Sequence, residues 1–260
     1  MTRVARSLGA LCVVLTACHA KQGASEHWVE PVTGMVFIRL EAGQFAMGSP
    51  VDERGRESQE LQHPVTLSKP FWLGAYEVTQ RQWTAVMGAN PSSFQDGGDS
   101  LPVENVTWFE AGAFLQRLKE RAPGNHFRLP SEAEWEYACR AGTKTAYSVG
   151  GTLNREQANF AESADRAGAG HTTRVGQFSP NGWGLFDMHG NVWEWTEDDH
   201  CPYASRGVTD PVARCGDPLK VIRGGSWYFG GDSARCALRY THRPQDRGFS
   251  LGFRVVRTVD

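Results

Sequence analysis

No stretch of the 260 residues approaches the roughly 20 apolar positions that a membrane-spanning helix needs. There is no excess charge of either sign. Lys and Arg number 27 against 29 Asp and Glu, and that balance excludes the basic surface that displaces phosphate counterions, so nucleic acid is not an expected partner. No CxxC pair follows residue 18, which argues against thiolate zinc. HExxH, a nucleophile elbow and a phosphate-binding glycine loop are missing too. What is plentiful is glycine (29), tryptophan (9) and phenylalanine (13). Many glycines beside many large rings point to a loop-rich fold pinned by buried aromatics.

Arg3 and Arg6 precede a short apolar run, Leu8 to Ala17, that ends Leu15-Thr16-Ala17-Cys18. This is the form of a lipoprotein signal, with residues 1–17 removed and Cys18 lipidated. An ordinary signal cleaved near Ala20 is the alternative. Residues 18–27 read as a polar tether and 28–260 as one α+β domain. If Cys12 leaves with the signal and Cys18 takes lipid, four cysteines remain, an even number suited to an oxidising compartment. Cys201 and Cys215 bracket a turn-rich segment as a local staple, which leaves Cys139 for Cys236.

Within the body, Val36, Ile38 and Leu40 alternate and Gly43 permits a turn, so residues 34–48 read as a hairpin. Val65 to Leu73 reads as one strand, and so does Leu251 to Val256. Three capping boxes mark helix starts: Thr79 with Gln82, Thr107 with Glu110, and Ser131 with Glu134. The second helix should stop before Pro123-Gly124 and the third near Ala141. The run Glu197-Asp198-Asp199-His200 reads as a solvated face, and Trp193 and Trp195 as core.

Four stretches taken in order go further: MVFIRLEAGQFAMGS (35–49), RLPSEAEWEYACRAG (128–142), PNGWGLFDMHGNVWEW (180–195), and RGGSW (223–227) with LGFR (251–254). Together they resemble the sulfatase-modifying-factor, or formylglycine-generating-enzyme, family. The resemblance implies a C-type-lectin-like variant of the α+β class with little regular secondary structure. Enzymes of that family oxidise a substrate cysteine with a copper-binding cysteine pair placed just after GGS. Here Phe229 stands where the first of these cysteines should be, and Cys236 matches a structural cysteine paired with Cys139. No copper and no formylglycine formation are therefore expected. Ser226 survives from that neighbourhood, more simply as a hydroxyl satisfying local backbone. The resemblance also implies one structural calcium held by Asp187, the Gly190 and Val192 carbonyls and Glu194. A second site on Asn159 and Phe160 would need a later acid, for which Asp165 is the unaligned candidate.

The expected role is a binding accessory on the periplasmic side of a Gram-negative envelope, lipid-anchored to the outer membrane through Cys18. Trp227, Tyr228 and Phe229 would line the partner groove. The partner would be an envelope or secretion-system protein, as for family members in type VI secretion. The alternative is a cysteine-independent oxidative tailoring enzyme of the siderophore-maturation type, and a glycan or other small-ligand binder is a third reading.

Overall fold

The computed structural model describes residues 26–162 and 170–258. The expected signal, Cys18 and Asp165 lie outside these residues. Among them, no helix is long and apolar enough to cross a membrane.

Each of the three capping boxes starts a helix. These are α1 (Gln80–Met87), α2 (Trp108–Arg121) and α3 (Glu132–Arg140). In each, the Ser or Thr side chain accepts the third backbone N–H, and the Gln or Glu side chain reaches back to the cap. Two orphan donors are thus satisfied at once. Helix α2 gives way at Ala122, just before Pro123, and α3 ends in a left-handed Ala141.

The strands form three sheets. The largest is antiparallel throughout, in the order β1 (His27–Val29), β2 (Val36–Leu40), β5 (Phe71–Gly74), β12 (Val256–Thr258), β6 (His126–Arg128). A second runs β3 (Gly43–Met47), β4 (His63–Leu67), β8 (Val208–Thr209). The third runs β10 (Tyr240–His242), β9 (Lys220–Arg223), β7 (Trp193–Asp199), β11 (Leu251–Gly252).

This topology corrects three sequence expectations. Residues 34–48 hold two strands but no hairpin. Ile38 pairs with His27 and Leu73, whereas Phe45 pairs with Val65 in a different sheet. Both edges of β2 are taken, and its two faces feed two cores, Phe37 into one and Ile38 and Leu40 into the other. The stretch from Val65 to Leu73 breaks at Ser68-Lys69-Pro70, where Asp210 caps the Ser68 amide at 2.7 Å. The C-terminal run likewise divides: Leu251 lies parallel to Trp193, and Val256 pairs with Leu73 and Arg128.

One core gathers α1 and α2 around Trp83, Phe114 and Phe253, with Trp83 and Phe114 stacked at 5.5 Å. The other surrounds α3, which packs against β3 of one sheet and β7 and β9 of another. Every residue of α3 is buried, its four charged side chains included. They are tolerated because each has a counter-ion. Glu132 meets Arg239 at 2.8 Å, Glu134 meets Arg128 at 2.5 Å, and Glu136 meets Arg140 at 2.7 Å and Arg223 at 2.5 Å.

The acidic run at 197–200 is not a solvated face. Asp198 is buried and accepts the Glu132 and Ala213 amides at 2.8 and 2.7 Å. Burial, then the charge of Glu132, pushes its carboxyl up to about 7. Asp199 is buried against Lys220 at 2.6 Å. Strand β7 is an inner strand of its sheet, between β9 and β11, and packs against α3, so Asp198 and Asp199 meet amides and lysine rather than water. Trp193 and Trp195 are core residues.

Candidate functional site

The GGS segment leaves β9 through two glycines of positive φ, Gly224 (99°) and Gly225 (73°). A Cβ at Gly225 would stand 2.9 Å from the Ala234 backbone, so the close approach of the two chains needs glycine there. Ser226 follows, fully buried, and its hydroxyl accepts the Tyr228 N–H at 3.4 Å. Its carbonyl accepts the Phe229 N–H at 3.1 Å. The hydroxyl is occupied with its own turn.

That turn lifts two rings out of the protein. Trp227 stays buried, with its amide on the Asn191 carbonyl at 2.9 Å. Tyr228 and Phe229 are 50% and 38% exposed. They join Tyr240 (48%) and Phe249 (44%) in one continuous aromatic surface. Tyr228 meets Phe249 and Phe229 edge-on, with centroids 5.5 and 5.6 Å apart, and Phe229 meets Trp193 at 5.7 Å. Tyr240 stacks on Trp193 at 5.6 Å. Edge-to-face contacts of this kind hold exposed rings in fixed positions. Tyr240 and Phe249 had no signal in the sequence, since neither belongs to a motif.

Phe94 extends the cluster beneath, edge-on to Trp227 at 5.3 Å. Its backbone N–H is held by Glu104 Oε1 at 2.9 Å. The other oxygen of Glu104 is buried without a hydrogen-bond partner. Burial pushes this carboxyl up to about 7, against the pull of the Phe94 amide. The folded chain therefore keeps a proton on Glu104 that the unfolded chain releases near its ordinary 4.5. The stabilisation is complete below that value and is lost as pH rises through 7. Glu104→Gln should melt with the wild type at pH 5 and be more stable at pH 8, by about 1–2 kcal/mol. Thermal melts at the two pH values check this; equal stability at pH 8 would show that Glu104 ionises freely.

Sulfur is present nearby but bonded. Cys139 pairs with Cys236 and Cys201 with Cys215, so all four cysteines of the described residues are disulfides. Two disulfides suit a compartment outside the reducing cytosol. Among the described residues, the one group of three side chains close enough to share a metal ion is Cys139, Cys236 and His189. As a disulfide it offers no thiolate. His189 Nε2 accepts the Ser148 N–H at 3.0 Å, so Nδ1 carries the proton and donates to the Ala234 carbonyl at 2.8 Å. Burial lowers its pKa to about 4, and the ring is neutral.

The residues expected to hold calcium lie next to this turn. Asp187, at φ 54°, accepts the Gly176 amide at 2.6 Å through Oδ2, while Oδ1 is buried with no partner. Such an orphaned oxygen suits a hard cation. Glu194 is already engaged. Arg254 grips it at 2.6 and 2.7 Å, and the Trp135 indole donates to it at 2.8 Å. Glu77, which no motif marked, completes this buried group by accepting from Asn191 at 3.1 Å. Its carboxyl is pushed well up, first by burial and then by the charges of Asp187 and Glu194. Asn159 bridges to the same loop, its carbonyl accepting the Asn191 amide at 2.8 Å, and Phe160 is buried beside it.

Residues 21–259 match the sulfatase-modifying factor enzyme 1-like domain. The chain is 31% identical over 258 residues to the serine/threonine-protein kinase pkn1 of Chlamydia caviae, covering 87% of this chain. It spans only 38% of that kinase's length. It is 30% identical over 241 residues to the chaperone protein LppX of Paenibacillus barcinonensis, covering 75% of this chain and 82% of LppX. The solved structure of PvdO from Pseudomonas aeruginosa superposes with a TM-score of 0.79 at 29% identity, covering 92% of this chain and all of PvdO. The α+β fold is thus that of the sulfatase-modifying factor family that the motifs implied, and the chain belongs to this family, which includes the formylglycine-generating enzymes.

Proposed function

We propose that this domain is a binding accessory outside the cytosol, without formylglycine-generating activity and without copper. The aromatic surface of Tyr228, Phe229, Tyr240 and Phe249 carries the reading. It stands where the family's reactive cysteine would act, and it offers rings where that chemistry needs thiolate. Fixed exposed aromatics suit docking of an apolar segment of a partner protein, because they bring large contact area with few rotamers to freeze. That a relative bears the name chaperone agrees with protein binding. The partner class is an envelope or secretion-system protein, met from the periplasmic side. Attachment is by a lipid on Cys18. One structural calcium completes the domain, on Asp187 and the Gly190 and Val192 carbonyls, with Glu194 shared between the ion and Arg254.

The test uses a photocrosslinking amino acid in place of Phe229, with exposed Val149 substituted as the control. Adducts should form at position 229 and not at 149, and disappear when Tyr228→Asp and Phe249→Asp are added. Mass spectrometry should place the partner's crosslinked atom in an apolar segment. Adducts that survive the two aspartates would remove the docking surface. Purified protein given Cu(I), oxygen and a thiol-bearing peptide should make no aldehyde, and aldehyde formation would overturn the reading. Oxygen uptake with a siderophore precursor, without position-specific adducts, would establish the oxidative tailoring alternative instead.

A further inference from the structure

A cavity of about 360 Å³ opens on a part of the surface that shares no residue with the aromatic docking patch. It lies between β3, the start of β4, the end of α3 and Trp183. Its volume sits at the lower end of the range for small-molecule sites, roughly 300–1,000 Å³. From these residues we infer a binding site for a pyranose sugar that carries a carboxylate. The inference does not depend on the protein-docking role.

Three rings make one wall. Tyr137 stands in the middle, with Trp183 tilted against it at 4.7 Å and Phe45 at 5.4 Å. The wall is preset by the backbone. Tyr137 donates its hydroxyl to the Glu41 carbonyl at 3.2 Å, crossing the point where β3 begins. Gly43 leaves room for that crossing, since a Cβ there would stand 2.2 Å from the Tyr137 oxygen. An apolar face of fixed rings accepts the C–H face of a sugar ring.

The other side of the cavity is polar and unspent. Gln44 and Gln62 are exposed, and their side chains make no hydrogen bond to any described residue. Each amide offers two donors and one acceptor oxygen, a match for vicinal hydroxyls. A purely apolar guest would leave them unused. The charge is equally specific. Arg140 lines the cavity too, but its guanidinium is committed to Glu136 and to the Gly48 carbonyl, each at 2.7 Å. Lys144 is exposed and makes no ion pair with any described residue, so its ammonium is available at this mouth. A lone ammonium beside three rings repels a quaternary ammonium guest, which would otherwise suit an aromatic cage. It attracts an anion, and a carboxylate on the guest would meet this ammonium in one charge-assisted hydrogen bond.

The full chain, labelled with nitrogen-15, would be titrated with glucuronate, with glucose as the uncharged control and acetate as the control lacking a ring. The Trp183 indole signal is identified by its loss in Trp183→Phe. Glucuronate should shift this signal saturably and bind about tenfold tighter than glucose, the size of one charge-assisted hydrogen bond. In Lys144→Gln the two sugars should bind alike, and Gln62→Ala should weaken both. Both substitutions lie on the surface, so a folded variant is expected. Absence of a saturable shift with glucuronate would overturn the site. Equal binding of glucose by the wild type would overturn the carboxylate, and a shift given by acetate alone would overturn the sugar.

Discussion

Replacing Cys139 and Cys236 together by alanine should lower the unfolding free energy by about 4–5 kcal/mol. The two residues are 97 positions apart, and the bond closes most of the distance between α3 and the segment after the double glycine. In the chain-entropy account, a cross-link removes more disorder from the unfolded chain as its loop lengthens. The second disulfide supplies the internal comparison. Cys201 and Cys215 are only 14 apart, and their replacement should cost about 3 kcal/mol. Native-state consequences reinforce the ranking. Both sulfurs of the long bridge are fully buried, and the Cys236 carbonyl receives Arg223 at 2.6 Å. Loosening the bridge therefore frees one anchor of a buried arginine whose other partners are the Ala237 carbonyl and Glu132 and Glu136 on α3. Urea unfolding of the two double variants checks this, and a smaller loss for the long bridge than for the short one would refute it.

How far the sequence discloses this molecule depends on the range of the interaction concerned. A capping box is complete within four residues, so Thr79, Thr107 and Ser131 announce their helices and the structure agrees. The long disulfide is legible for a different reason, since parity and the staple at 201–215 leave Cys139 a single partner. Strands are half legible. Alternation at Val36, Ile38 and Leu40 reports an extended chain, but a period of two says nothing about which strand lies alongside. That is why β2 and β3 look like a hairpin and belong to different sheets. Buried charge is illegible in the sequence. Glu132 meets Arg239 across 107 residues and Glu194 meets Arg254 across 60, so each acid looks like surface until its arginine is located. The candidate sites divide in the same way. Trp227, Tyr228 and Phe229 follow one motif, but Tyr240 and Phe249 reach them only through the fold. The sugar cavity draws its rings from positions 45, 137 and 183, and no local pattern joins those three.

Arg254→Met should destabilise the domain by about 3–5 kcal/mol, the usual result when one partner of a buried ion pair is removed. Arg254 and Glu194 are both fully buried and joined by two short hydrogen bonds. Two more guanidinium N–H groups go to the Gly74 and Phe186 carbonyls, each at 3.1 Å. Methionine fills part of the volume but leaves the Glu194 carboxylate with only the Trp135 indole, 2.8 Å away. It also removes the cation that offsets Glu77 and Asp187. Arg254→Lys should fall between, because a point charge cannot reproduce the two-pronged grip. Adding Glu194→Gln to Arg254→Met should recover about 2 kcal/mol, since a neutral amide can still accept from Trp135 and no buried charge is stranded. Calcium gives the same experiment a second readout. Without Arg254, the proposed calcium ion would be the cation left to offset the Asp187 and Glu194 carboxylates. Millimolar calcium should then raise the melting temperature of Arg254→Met more than that of the wild type, and Asp187→Asn should abolish the difference. A calcium response that is absent from both proteins would remove the ion from Asp187 and Glu194. A loss below about 1 kcal/mol for Arg254→Met would show that Glu194 is neutral or hydrated in the folded protein, and that the arginine is not what holds strand β7 to the chain's last turn.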